Sequence, residues 1–266
     1  SITSGSGGSG SGGGSGNNNT ITGTAAEVIE TLESKSSDYS GTITVTDANG
    51  TSINATNLSA IGAATTGTVT VTNAVAITGD HDQLTAALVT AGTKVSVSDA
   101  TVTINDADAT SITAADLSTL GGKTVGTVTV SNAVNIIGTS AQITAALITS
   151  STKVIPNSAG TTATVTDYIT LATAALISEL SNITARYSSG LADSLSNLAN
   201  SGAITANLNK VISDDTDVTI SITDPVATSA SATDLSVIGN ATTGTVTVTN
   251  AINISGSTSE LIAALI

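Results

Sequence analysis

Two aspartate clusters hold the side chains best suited to chemistry. Asp106 and Asp108 lie in Asn105-Asp106-Ala107-Asp108, and Asp214, Asp215 and Asp217 lie in Ser213-Asp214-Asp215-Thr216-Asp217. Hard carboxylate oxygens gathered from successive turns of chain are what calcium takes, so these five are the candidate ligands for a bound calcium ion. Neither cluster has the spacing of an EF-hand loop or of the G-G-x-G-x-D nonapeptide, and the same residues serve as turn formers on an acidic surface. The single histidine, His81, stands between Asp80 and Asp82, which invites an acid–base reading. Its counterparts in other copies of a 59-residue repeat are Ala25, Ser140 and Thr258, so a solvent-facing residue of a first helical turn is expected. Serine is abundant, but a nucleophile needs a base within hydrogen-bond reach, and no such constellation is visible. Gly-rich residues 5–16 lack the following Lys-Ser/Thr of a phosphate loop. The expectation is a chain that is not an enzyme and needs no cofactor, calcium being the one candidate.

A second candidate surface is made of threonine. Thr68, Thr70 and Thr72, with Thr127, Thr129, Thr245, Thr247 and Thr249, alternate with Val or Ile and would face outward from strands as a regular array. Ice-binding solenoids use such arrays, while β-branched Thr is also the ordinary choice for the solvent face of a strand.

Composition narrows the field. Six basic and 20 acidic side chains in 266 residues give a net charge of −14, the wrong sign for a nucleic-acid binder. Cys, Met, Trp and Phe are absent, which excludes disulfides, thiolate metal sites and a bulky aromatic core. Thr and Ser interrupt every apolar run before the roughly 18 residues that a membrane span needs, so no membrane insertion is expected. The missing initiator Met and a C-terminus in mid-pattern suggest a piece of a longer chain.

These residues must be positioned by a repeat. Leu58 and Leu117 are 59 residues apart, as are Gly62 and Gly121, Asn73 and Asn132, and Leu88 and Leu147; Leu235, Gly239, Asn250 and Leu265 fall in the same register. The organisation read from this is a Gly/Ser-rich linker at 1–20, the tail of a preceding repeat at 21–40, and repeats at 41–99 and 100–158. A degenerate, more helical repeat follows at 159–217, then a truncated one at 218–266. Each full unit reads as strand, helix, strand, helix, in unequal halves of 26 and 33 residues. Strands are expected at about 42–47, 68–73, 101–106, 127–132 and 245–250 from their period-two alternation. In the longer half, Thr24, Asp80, Thr139 and Ser257 precede Glu27, Gln83, Gln142 and Glu260 by three, a capping box that predicts helices near 80–90, 139–149 and 257–266. Leu88, Leu147 and Leu265 should be buried on them. In the shorter half, helices of one or two turns should end at Gly62, Gly121 and Gly239. Asn73 and its equivalents Asp47, Asp106, Asn132, Asp224 and Asn250 should hydrogen-bond the turn backbone of an adjacent rung. Lys94 and Lys153, with Lys35 and Lys210, sit where a lysine meets a helix C-terminal dipole. Residues 171–199, with leucines three and four apart, read as a longer amphipathic helical segment. The fold class expected is a repeat solenoid, an α/β solenoid of parallel strands with short helices; the alternative is a plain β-helix.

The segments DLSTLGGKTVGTVTVSNAVNIIGTSAQITAAL (116–147), ATNLSAIGAATTGTVTVTNAVAITG (55–79) and ATDLSVIGNATTGTVTVTNAINISG (232–256) resemble repeats of giant secreted cell-surface proteins of cyanobacteria and other Gram-negative bacteria. The resemblance covers most of 41–158 and 218–266. It implies an extracellular, type I-secreted location and an adhesive, motility-associated or surface-layer role, with no catalytic residues. The partners expected are copies of the chain or adjacent repeats, and a surface polysaccharide.

Overall fold

A computed structural model of the chain describes residues 3–4, 19–35 and 39–266. Within the expected linker, Thr3–Ser4 is a strand antiparallel to Thr20–Gly23; residues 1–2 and 5–18 lie outside the described residues.

The architecture is α/β, with short parallel strands in several sheets and helices of four to ten residues between them. Alternation makes the strands. Val69 and Val71 are 0% and 2% exposed while Thr70 between them faces water, and Val128 and Val130 repeat the pattern 59 residues on. The expected strands are present as Thr42–Val45, Val69–Val71, Thr101–Ile104, Val128–Val130 and Val246–Val248, all in parallel pairs.

A second strand in each half-unit, which the alternation did not reveal, follows a sharp corner. Ser52–Asn54, Ala76–Gly79, Ser111–Thr113 and Asn135–Gly138 each turn one isoleucine fully inward: Ile53, Ile77, Ile112 and Ile136. The longer half contains one strand more, Val95–Ser96 in one copy and Val154–Pro156 in the next. That extra strand changes the stacking. Val69 pairs with Val95, whereas Val102 pairs with Ile77 on one side and Val128 on the other. Strands at equivalent places in the repeat therefore lie in different sheets. Val69–Val71 belongs to one five-stranded sheet, with 42–45 and 95–96 as neighbours, and Val128–Val130 to another, between 101–104 and 154–156.

Helices start where the capping boxes place them, at Ala25–Glu33, His81–Leu88, Ser140–Leu147 and Thr258–Leu265, and all four boxes are closed in both directions. The shorter-half helices, Ala55–Ala63, Ala114–Gly121 and Ala232–Ala241, run to eight, nine or ten residues, more than the one or two turns expected. Their glycines are not left-handed caps. Gly62 and Gly121 lie inside the last helical turn and are buried, because a chain crosses them at backbone distance: a Cβ on either would be driven into the carbonyl oxygen of Thr93 or Thr152.

Residues 171–199 depart from expectation too. In place of a long helix they form the helix Leu171–Ser178, the strands Ile183–Tyr187 and Leu191–Asp193, and the four-residue helix Leu195–Leu198. A spacing of four is a multiple of the strand period as well as close to the helical one. Ile183 and Tyr187 accordingly share the buried face of a strand with Arg186 pointing outward.

The chain divides into two compact units that do not follow repeat boundaries: Ser1–Asp108, Asp116–Asn132 and Thr149–Asn157 form one, and Ala109–Ala115, Ala133–Ile148 and Ser158–Ile266 the other. In the first, Ala25–Glu33, Ala55–Ala63 and His81–Leu88 pack in a row over Val28, Leu58, Ile61 and Leu84, each 0% exposed. In the second, Ala232–Ala241 packs on Thr258–Leu265 and Ser140–Leu147 on Leu171–Ser178.

Candidate functional site

The aspartates at the corners bond backbone amides of the neighbouring layer. A layer here is a strand, a corner, a second strand and a helix. The first residue of each longer-half helix carries an N–H that the capping box leaves without a partner. Asp47 Oδ2 accepts it from Ala25 at 2.7 Å, Asp106 Oδ2 from His81 at 2.8 Å and Asp167 Oδ1 from Ser140 at 2.6 Å. In the degenerate region Asp193 does the same for Leu171 at 2.9 Å and Asp224 for Leu195 at 2.6 Å. Each carboxylate comes from the following layer, and its charge lies at the positive end of a helix. The corner asparagines complete the ladder as expected: Asn73, Asn132 and Asn250 donate from Nδ2 to the carbonyls of Asp47, Asp106 and Asp224 at 2.7, 2.6 and 2.8 Å.

His81 is drawn into this ladder instead of facing solvent. Its Nδ1 lies 2.5 Å from Asp106 Oδ1, and its side chain is 20% exposed. Burial pulls the imidazole pKa down, but the hydrogen bond and charge of Asp106, with Asp82 and Asp80, outweigh it and hold the pKa above its ordinary 6.5. A pKa raised by folding means that the protonated ring favours the folded state. The contribution is complete below pH 6.5 and is lost as pH rises through the folded pKa. Melting temperature should fall over that interval in the natural chain and not in His81→Gln, and titration of the ring followed by NMR should give the same raised midpoint.

The five candidate calcium ligands are thus placed as follows. Asp106 is 5% exposed and engaged by the His81 backbone and ring. Asp108 lies beyond the same corner and has its own interactions. Asp215, also 5% exposed, accepts from the Tyr187 N–H at 2.7 Å and from Arg186 Nη1 at 3.2 Å. Burial pushes its carboxyl above the usual range, with Asp217 adding to the rise against the amide and guanidinium. Asp214 Oδ2 accepts from the Ala185 N–H at 3.3 Å. Among the described residues no three acidic or histidine side chains converge as a metal-binding group. Arg186, Tyr187, Ser188, Asp215, Thr216, Asp217, Thr219 and Thr243 line an open polar cleft of about 780 Å³.

The eight threonines of the candidate array divide among three sheets. Thr70 lies within Val69–Val71 with Thr68 and Thr72 on either side, Thr127 and Thr129 belong with Val128–Val130, and Thr245, Thr247 and Thr249 with Val246–Val248. Across the strands a row is short: Thr22, Thr44 and Thr70 are in register and end at Ser96, and Thr78, Thr103 and Thr129 end at Ile155. The hydroxyls of Thr72 and Thr249 donate to Val45 and Ile222 carbonyls of the adjacent layer at 3.2 and 2.9 Å.

Three other threonines carry more of the structure, and sequence reading passed over them. Thr65, Thr124 and Thr242, in repeat register, are buried and donate to the carbonyls of Gly41, Ala100 and Val218 at 2.6, 2.6 and 2.7 Å. The three threonine hydroxyl oxygens in turn accept from the N–H groups of Gly67, Gly126 and Gly244. Their recurrence at one place in three copies was the available signal. Lys94 likewise reaches across a layer, donating from Nζ to the Thr66 carbonyl at 2.6 Å; Lys210 pairs with Glu179, and Lys35 lies over the Tyr39 ring at 5.8 Å.

The last layer differs from the inner ones. Leu88 and Leu147 are 5% and 1% exposed, but Leu265, expected to be buried with them, is 61% exposed, with Ile262 at 52%. No family model, curated protein or solved structure matches the chain. No helix among the described residues is long and apolar enough to cross a membrane.

Proposed function

We propose that this chain is a non-catalytic structural module, an α/β solenoid segment of an extracellular surface protein, filament or surface layer, which works by stacking layer on layer. The observation that carries the reading is the use made of its polar side chains. The corner carboxylates, corner amides and buried threonines are directed at the backbone of an adjacent layer, and the repeat reproduces them. Polar groups committed to neighbouring backbone hold a stack in register and are not disposed to act on a substrate. The resemblance to repeats of giant secreted surface proteins supports the extracellular setting, as does the absence of cysteine.

Chains carrying one or two further copies of residues 100–158, inserted after Ser158, test this. A stack gains stability and denaturant sensitivity with each copy, because every unit adds its own interface. Copies that fold as independent beads, with midpoint and slope unchanged, would reject stacking. Release of reducing ends from a polysaccharide by the chain would reject the non-catalytic reading.

A further inference from the structure

The inner layers show what covers a face such as the one at 246–265. Val128–Val130 is paired on one side with 102–104 and on the other with 154–156, and Asn135–Gly138 lies between 111–113 and 161–165. Their equivalents have one partner each: Val246–Val248 pairs with 220–222, and Asn253–Ser255 with 229–231. The side chains follow. Val128, Val130, Ile136 and Ile143 are at most 1% exposed, while Val246, Val248, Ile254 and Leu261 are half-buried. Gly239 gives the same sign: its equivalents Gly62 and Gly121 are crossed by the carbonyls of Thr93 and Thr152, but a Cβ on Gly239 would meet nothing within 4 Å.

Both inner covering segments read Thr-Lys-Val, at 93–95 and 152–154. Their roles are visible in the first of them. The Thr93 carbonyl crosses the helical glycine, Lys94 O accepts from the Val69 N–H at 3.1 Å while its Nζ reaches the Thr66 carbonyl, and Val95 pairs with Val69. We propose that the face formed by Gly239, Val246–Val248, Asn253–Ser255 and Leu265 is a docking surface for one more layer of this repeat. That layer enters as a parallel Thr-Lys-Val strand whose lysine bonds the carbonyl of Thr243, the equivalent of Thr66. This rests on the stacking reading and adds the identity of the partner and its polarity. The edge of Thr20–Gly23 is itself already occupied by the antiparallel Thr3–Ser4. The surface thus selects a repeat layer, not the leading edge of a second copy.

The test extends the chain after Ile266 by a copy of residues 149–179, the segment that follows the equivalent Ile148, with a scrambled copy as control. Hydrogen exchange at Val246 and Val248 should slow at least tenfold with the true copy and not with the scrambled one. Gly239→Leu should not lower the melting of the unextended chain and should abolish the protection in the extended one. Unchanged exchange in the extended chain, or protection that survives Gly239→Leu, overturns the proposal. If this fails while inserted copies still raise stability stepwise, only the docking surface falls; failure of both removes the stacking reading.

Discussion

Gly121→Ala should destabilise the chain by about 3 kcal/mol or more, while the same change at Gly239 should be neutral or stabilising by up to about 1 kcal/mol. The two glycines are equivalent in the repeat, and each lies in the last turn of a helix. Replacing glycine by alanine in a helix ordinarily stabilises, because the unfolded chain has less freedom to lose. At Gly121 that gain is overridden: the new methyl group would be forced into the Thr152 carbonyl, which is backbone and has no rotamer to retreat to. Gly62→Ala should behave like Gly121→Ala, against Thr93. Equilibrium urea unfolding of the three variants reads the difference directly. Equal effects at Gly121 and Gly239 would mean that these glycines do not mark the approach of the next layer.

The second large contrast is between leucines. Leu147→Ala should cost roughly 2–5 kcal/mol and Leu265→Ala less than about 1 kcal/mol. Leu147, 1% exposed, is enclosed on every side, so truncation loses the transfer of three carbon atoms from water and leaves a cavity. Leu265 is 61% exposed and has little burial to lose. A pattern-based reading alone would make the two losses the same. Thermal unfolding with matched heating rates separates them, and a loss at Leu265 as large as at Leu147 would contradict the open last layer.

The sequence was most legible where local rules act without help from the fold. The four capping boxes bind their own helix ends, so three-residue spacing alone located them. Val-Thr alternation marked the first strand of each half-unit because it runs for five or more residues, long enough to separate a period of two from one near four. The second strand escaped because it offers a single inward isoleucine, as in Ser52-Ile53-Asn54, and three residues carry no period. Gly62 and Gly121 were misread as caps because a glycine admitting a left-handed turn and one admitting a crossing backbone look the same in one dimension. His81 was misplaced for a related reason. Its neighbours in sequence are Asp80 and Asp82, but the carboxylate that orders it is Asp106, 25 residues on and one layer over. The layer-to-layer role of the corner asparagines was inferable because repetition at one height implies proximity. The aspartates' attachment to helix amides depends on how far each helix start lies from the next corner, which spacing does not fix.

Small-angle scattering from chains with zero, one and two inserted copies of residues 100–158 tests the central claim most directly. Strands stacked about 4.8 Å apart, with roughly two layers in each 59-residue unit, predict a maximum dimension that grows by about 10 Å per copy while the cross-section stays constant. A cross-section that swells with each copy, or a length that rises as the cube root of the mass, would contradict a stack.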